Sequence, residues 1–160
     1  MIKIYTIGVY GSTEESFFSK LTQNNIDLFC DIRQRRGVRG SQYKYVNSNY
    51  LQSMLQELNI GYLYIKDLAP TNEIRQKQKD ADKLNNETKK QRQKLGDVFS
   101  FEYQKQILSK FDLTSLISEF EKQGVNNVVL FCVEEFAEAC HRSLVAQKIA
   151  KLTNCEIINL

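Results

Sequence analysis

The stretch Val125-Asn-Asn-Val-Val-Leu-Phe-Cys-Val133 decides the fold. Its last six residues are apolar without interruption. A strand with one wet face alternates apolar and polar side chains, whereas a strand covered on both faces does not. This run therefore reads as a central strand of a parallel sheet. Gly124 stops the helical pattern before it. The pattern runs from Val98 to Gln123, through Phe99, Tyr103, Ile107, Leu116, Ile117 and Phe120, with a break near Asp112. After the strand and a loop, Cys140 to Leu152 shows the spacing of an amphipathic helix.

Further out, the same alternation of element types continues. Ile2 to Gly8 and Ile26 to Ile32 read as buried strands, and Gly61 to Ile65 as a third short one. Cys155 to Asn159 supplies a fifth. Ser12-Thr-Glu-Glu15 has the form of a capping box, ahead of a helix carrying Phe17, Phe18 and Leu21 and ending at Asn24-Asn25. Leu51, Met54, Leu55 and Leu58 mark a second helix. Strands separated by helices predict an α/β domain. We expect residues 1–160 to form one three-layer Rossmann-like sandwich on a mostly parallel sheet of about five strands. Residues 71–95 are rich in Lys, Gln, Asn and Arg and read as a basic insertion, either an exposed helix or a mobile segment.

Composition excludes several classes. The 160 residues are 42 % hydrophobic and 11 % aromatic, with one Pro, seven Gly and one His. That is too apolar for a disordered chain and too poor in His for a His-rich metal cage. No apolar run approaches the ~18–20 residues of a membrane span. Met1 to Gly8 reads as a strand rather than an export signal. Cys30, Cys132, Cys140 and Cys155 show no CxxC spacing. They are expected to be reduced, in a cytoplasmic protein. Cysteines on separate strands do not converge readily on one ion, so a four-cysteine zinc site is not expected, and no metal ligands are singled out.

The net charge of +3 conceals an asymmetry. Ile32 to Gln56 holds five basic residues and no acid, and Thr71 to Leu95 holds eight basic and four acidic residues. The remainder carries nine basic and fifteen acidic residues. Two cationic segments on an acidic body predict a local polyanion contact.

In parallel sheets ligands bind beyond the carboxyl ends of the strands. Four segments lie there: Gly8 to Ser12, Asp31 to Tyr45, Lys66 to Pro70, and Cys132 to Ser143. They carry Thr6-Ile-Gly8, Asp31-Ile-Arg33, Phe131-Cys-Val-Glu134 and Cys140-His-Arg-Ser-Leu-Val-Ala146. With Ile60-Gly-Tyr, the order and spacing of these blocks resemble the domain-of-unknown-function family 488, over roughly residues 4 to 159. The Cys-x-Glu and Cys-His-Arg-Ser blocks are the specific part. The resemblance implies a single compact α/β domain and brings no established reaction. Val9-Tyr10 stands where a His-Ser pair is common in the family, and the loop Gln34 to Ser41 lacks the usual Pro and is more cationic.

The residues themselves suggest the chemistry. Cys140-His-Arg-Ser143 opens a helix, whose N-terminus favours anions and thiolates. Arg142 would add a bidentate fork for phosphate, aided by Ser143, Gly8 and Arg33. Cys140 is a candidate nucleophile, and Asp31, Glu134 and His141 are candidate proton carriers. Cys132 to Arg142 spans Cys-x9-Arg rather than the Cys-x5-Arg of cysteine phosphatases, and Glu134, Glu135 and Glu138 intervene. Arg35, Arg36, Arg39 and Lys44, with Tyr43, have the make-up of a nucleic-acid contact.

The expected function is binding of a phosphate-bearing ligand, nucleic acid or nucleotide, with an enzymatic reaction left open and no cofactor assigned. One alternative is a non-catalytic nucleic-acid-binding module, or a subunit with a protein partner or in a homodimer. Another is a thiol-dependent rhodanese- or phosphatase-like enzyme centred on Cys140.

Overall fold

The computed structural model describes residues 2–160. Five strands, β1 (Lys3–Ile7), β2 (Leu28–Asp31), β3 (Gly61–Tyr64), β4 (Asn127–Phe131) and β5 (Ile157–Asn159), form one sheet in the order β3-β2-β4-β1-β5. All four pairings are parallel. Six α-helices flank the sheet: α1 (Glu14–Gln23), α2 (Ser48–Glu57), α3 (Asn72–Leu84), α4 (Asp97–Tyr103), α5 (Leu113–Lys122) and α6 (His141–Thr153). The expected α/β fold on a five-stranded parallel sheet is what forms. β4 is central, between β1 and β2, as its unbroken apolar run requires.

Alternate strand residues enter opposite cores. Ile4, Cys30, Val128 and Leu130 pack with Ile74, Phe99, Tyr103, Ile117, Phe120 and Ile149 from α3 to α6. Tyr5, Ile7, Phe29, Val129 and Phe131 pack with Phe17, Phe18 and Leu21 of α1 and Leu51 and Leu55 of α2. Both faces are therefore covered, giving three layers. Each fully buried side chain such as Phe17 or Leu51 contributes about 1.5–3 kcal/mol from burial. No helix among the described residues is long and apolar enough to cross a membrane.

Two local expectations shift. The capping box of α1 is built on Thr13, which accepts from Ser16 N while Ser16 Oγ accepts from Thr13 N. Ser12 instead bonds Val9 O and Tyr45 OH. The segment 71–95 is helical over Asn72–Leu84, capped by Thr71. It is also anchored: Ile74, Gln78, Asp82, Arg92 and Leu95 are buried. The helical pattern after Val98 continues from α4 through a π-helical turn at Gln104–Leu108 and restarts at α5, where Asp112 is the cap.

Candidate functional site

A cavity of about 530 Å³ opens where the strands end. Its wall comes from the loop after β2 (Arg33, Arg35, Arg39, Tyr43), from Tyr10 after β1, and from Pro70 after β3. The segment from α3 to α4 supplies Arg75, Lys79, Lys89, Lys90 and Arg92. Cys132, Glu134, Cys140 and His141 line it from the loop after β4 and the start of α6. Eight cationic side chains face two anionic ones, Asp82 and Glu134. The two cationic segments, remote in sequence, thus wall one cavity.

Side-chain contacts hold them together. Arg75 donates to Gln34 Oε1, and Gln34 Nε2 donates to Asn72 Oδ1 at 2.9 Å. Lys90 lies over the rings of Tyr10 and Tyr43, 5.4 and 5.8 Å from their centroids. Arg92 donates to Asp82 at 2.7 Å, to Glu134 at 3.2 Å, and twice to Ala139 O. Sequence reading missed Lys89 and Arg92, because their partner Glu134 lies in another part of the chain, and Asp82, which is paired through Arg92.

Glu134 is buried and receives Lys89 Nζ at 3.4 Å, Arg92 Nη2 at 3.2 Å and the Cys132 thiol at 3.1 Å. Burial alone would raise its carboxyl. Lys89, His141 and hydrogen bonds from Cys132 and Cys140 outweigh that and bring it down to about 2. It is an ionised hydrogen-bond acceptor across the neutral range. Glu135 and Glu138 line a separate depression, so the expected wall of three carboxylates facing the ligand does not form.

Cys140 caps α6 with its backbone, leaving its sulfur free of any capping bond. Its Sγ lies 3.6 Å from His141 Nδ1. His141 Nε2 sits 2.9 Å from Ile32 O, and a carbonyl only accepts, so Nε2 carries a proton. Nδ1 is then the nitrogen that faces the sulfur. Burial disfavours a charged His141, while Cys132, Glu134 and the Ile32 carbonyl favour it, and the net shift is upward. A hydrogen bond with Cys140, then burial, pushes the Cys132 thiol well up. The donor atoms of Cys132, Cys140 and His141 lie within 4.8 Å of one another.

Several other candidates are structural. Asp31 is fully buried and accepts from Arg33 Nε and Nη2 at 2.8 and 2.7 Å, from Arg33 N, and from Tyr62 OH. Its lone pairs are taken, so it is an ion-pair partner rather than a proton carrier. Arg33 stacks on Phe131, 4.6 Å from the centroid, and its buried Nη1 has no hydrogen-bond partner. Arg142 is 1 % exposed and donates to Glu134 O at 2.6 Å and Glu135 O at 3.0 Å. It braces the loop and does not line the cavity, which corrects the expected anion fork. Gly8 serves the same loop, since a Cβ there would sit 1.9 Å from Glu134 O. Ser143 Oγ donates to Cys140 O at 2.9 Å. Arg36 leaves the wall to lie over Tyr64, 4.3 Å from its centroid, and Lys44 sits on a 3₁₀ turn outside the cavity lining.

The chain matches the family model described as Domain of unknown function DUF488 over residues 13–149. The chain belongs to this family. No curated protein and no solved structure matches it. In this DUF488 domain, Cys132, Glu134, Cys140 and His141 line the floor of a cationic cavity and Arg142 braces the loop that carries Glu134.

Proposed function

We propose that this domain binds a phosphate-bearing polyanion, a nucleic-acid strand or a nucleotide, in the cavity at the strand ends. One observation carries the reading. Two cationic segments, residues 32–56 and 71–95, converge on one cavity, with Arg35, Arg39 and Lys79 exposed on its wall. Exposed cations in a concave site raise the local concentration of an anion. The reduced thiols suit a cytoplasmic setting.

The test is oligonucleotide binding as a function of salt, with wild type and Arg35→Ala/Arg39→Ala/Lys79→Ala. The triple variant should lose affinity about tenfold or more, and its log–log salt slope should be shallower by about two to three. Unchanged binding in the triple variant sinks the reading.

The Cys140–His141 contact favours a second reading, in which the cavity also supports thiol chemistry. Cys140 should then alkylate with iodoacetamide faster at neutral pH than an unactivated thiol. A sluggish Cys140 removes this second reading.

A further inference from the structure

We propose that Cys132, Cys140 and His141 form a binding site for a borderline-soft divalent cation of the zinc class, with a fourth coordination position open to the cavity. The donors are Sγ of the two cysteines and Nδ1 of the histidine.

Geometry carries the argument. An ion bonded to sulfur at ~2.3 Å and to imidazole nitrogen at ~2.05 Å, at the tetrahedral angle, holds those two atoms about 3.6 Å apart. Cys140 Sγ and His141 Nδ1 are 3.6 Å apart. Cys132 Sγ completes the triangle within 4.8 Å of both. The ring is also oriented as a ligand needs. Nε2 donates to Ile32 O at 2.9 Å, so Nδ1 is the nitrogen turned toward the sulfurs. A backbone carbonyl on the distal nitrogen is the usual partner that fixes a ligating histidine.

The elements make the triangle stiff. Cys132 follows the central strand β4, and Cys140 and His141 open α6. Arg142, the next residue, ties that helix end to the loop carrying Glu134. All three ligands are buried yet line the cavity, so three directions are protein and one is open. Three protein ligands with one open position are the pattern of zinc sites that act on a bound molecule. Two thiolates match a divalent cation in charge; the Cys132 proton that Glu134 accepts at 3.1 Å leaves when the metal binds, and Glu134 keeps Arg92 and Lys89 as partners. The sulfur and nitrogen donors disfavour calcium and magnesium, which take oxygen.

The site is independent of the polyanion reading, and the experiment keeps the two apart. The full chain, reduced and metal-free, is titrated with Co²⁺ as a spectroscopic stand-in for Zn²⁺. Wild type should take up one equivalent, with thiolate-to-cobalt charge-transfer bands and intense tetrahedral d–d bands, both lost on adding Zn²⁺. Cys132→Ser, Cys140→Ser and His141→Ala should each weaken binding more than about 100-fold. Cys155→Ser and Arg35→Ala/Arg39→Ala/Lys79→Ala should leave it unchanged. Bound metal should also slow iodoacetamide labelling of Cys140. X-ray absorption on the Zn²⁺-loaded wild type needs no variant and should show sulfur and imidazole bonded to zinc. Absence of cobalt binding by wild type, oxygen-only coordination, or full binding by Cys132→Ser overturns the proposal.

Discussion

Two groups of cationic side chains meet at the strand ends, and they do different work. Arg33 and Arg142 come from the blocks that stand out in the sequence, and both are almost wholly buried. One holds Asp31, the other two backbone carbonyls. Arg35, Arg39 and Lys79 come from the two cationic segments, and with Lys89 and Lys90 they are the cations exposed on the cavity wall. Most donors of these two buried guanidinium groups are committed to the fold, where leaving one unpaired is costly; Arg33 Nη1 and Arg142 Nε are the two without a partner. An exposed cation keeps its donors for a ligand. The difference separates stability from binding, and substitution tests that separation.

The largest effect should come from the brace. Arg142→Met keeps apolar volume but removes the donors to Glu134 O and Glu135 O. Leaving those two carbonyls unpaired should cost about 2–5 kcal/mol, read by urea denaturation. A loss below about 1 kcal/mol would mean that Arg142 is not a brace. Gly8→Ala attacks the same loop from the other side. Its Cβ would overlap Glu134 O, and the required backbone shift should cost about 1–3 kcal/mol.

Arg92 belongs to both groups. It lines the cavity and also pairs with Asp82 and Glu134. Arg92→Met should therefore lower stability by about 2–4 kcal/mol and weaken oligonucleotide binding as well. A variant that lost binding with full stability would move Arg92 to the wall. The Arg35→Ala/Arg39→Ala/Lys79→Ala protein should be within about 0.5 kcal/mol per site of wild type, since none of the three is buried.

Much of this was legible from the chain and some was not, for definite reasons. The sheet was, because Val128 to Val133 is apolar on both faces of its strand. The end of α5 was, because Gly124 takes a positive φ there. The first cap was displaced by one residue, since Thr13 and Ser16 complete a box as readily as Ser12 and Glu15. The anchoring of 71–95 left no local signal. Asp82 and Arg92 are polar residues in a polar stretch; Arg92 is held by Glu134 and Ala139, more than forty residues away, and Asp82 is held by Gln78 and Arg92. The meeting of Cys132 with Cys140 and His141 was hidden in the same way. A spacing that fails as Cys-x5-Arg says nothing about a loop that folds back on itself.

The smallest effect is also the sharpest discriminator. Lys77 and Lys79 are two residues apart on α3, and two residues on a helix point in different directions. Lys79 lines the cavity. Lys77 pairs with Glu73 at 3.8 Å and Glu102 at 3.5 Å, away from the lining. Lys77→Gln and Lys79→Gln remove the same charge from the same helix. Exposed pairs contribute about 0–1 kcal/mol, so neither variant should change stability much. If binding follows position, Lys79→Gln should weaken oligonucleotide affinity a few-fold and flatten the salt slope by somewhat less than one, while Lys77→Gln leaves both alone. Equal losses would mean that total charge governs binding and that the cavity wall has no special part in it.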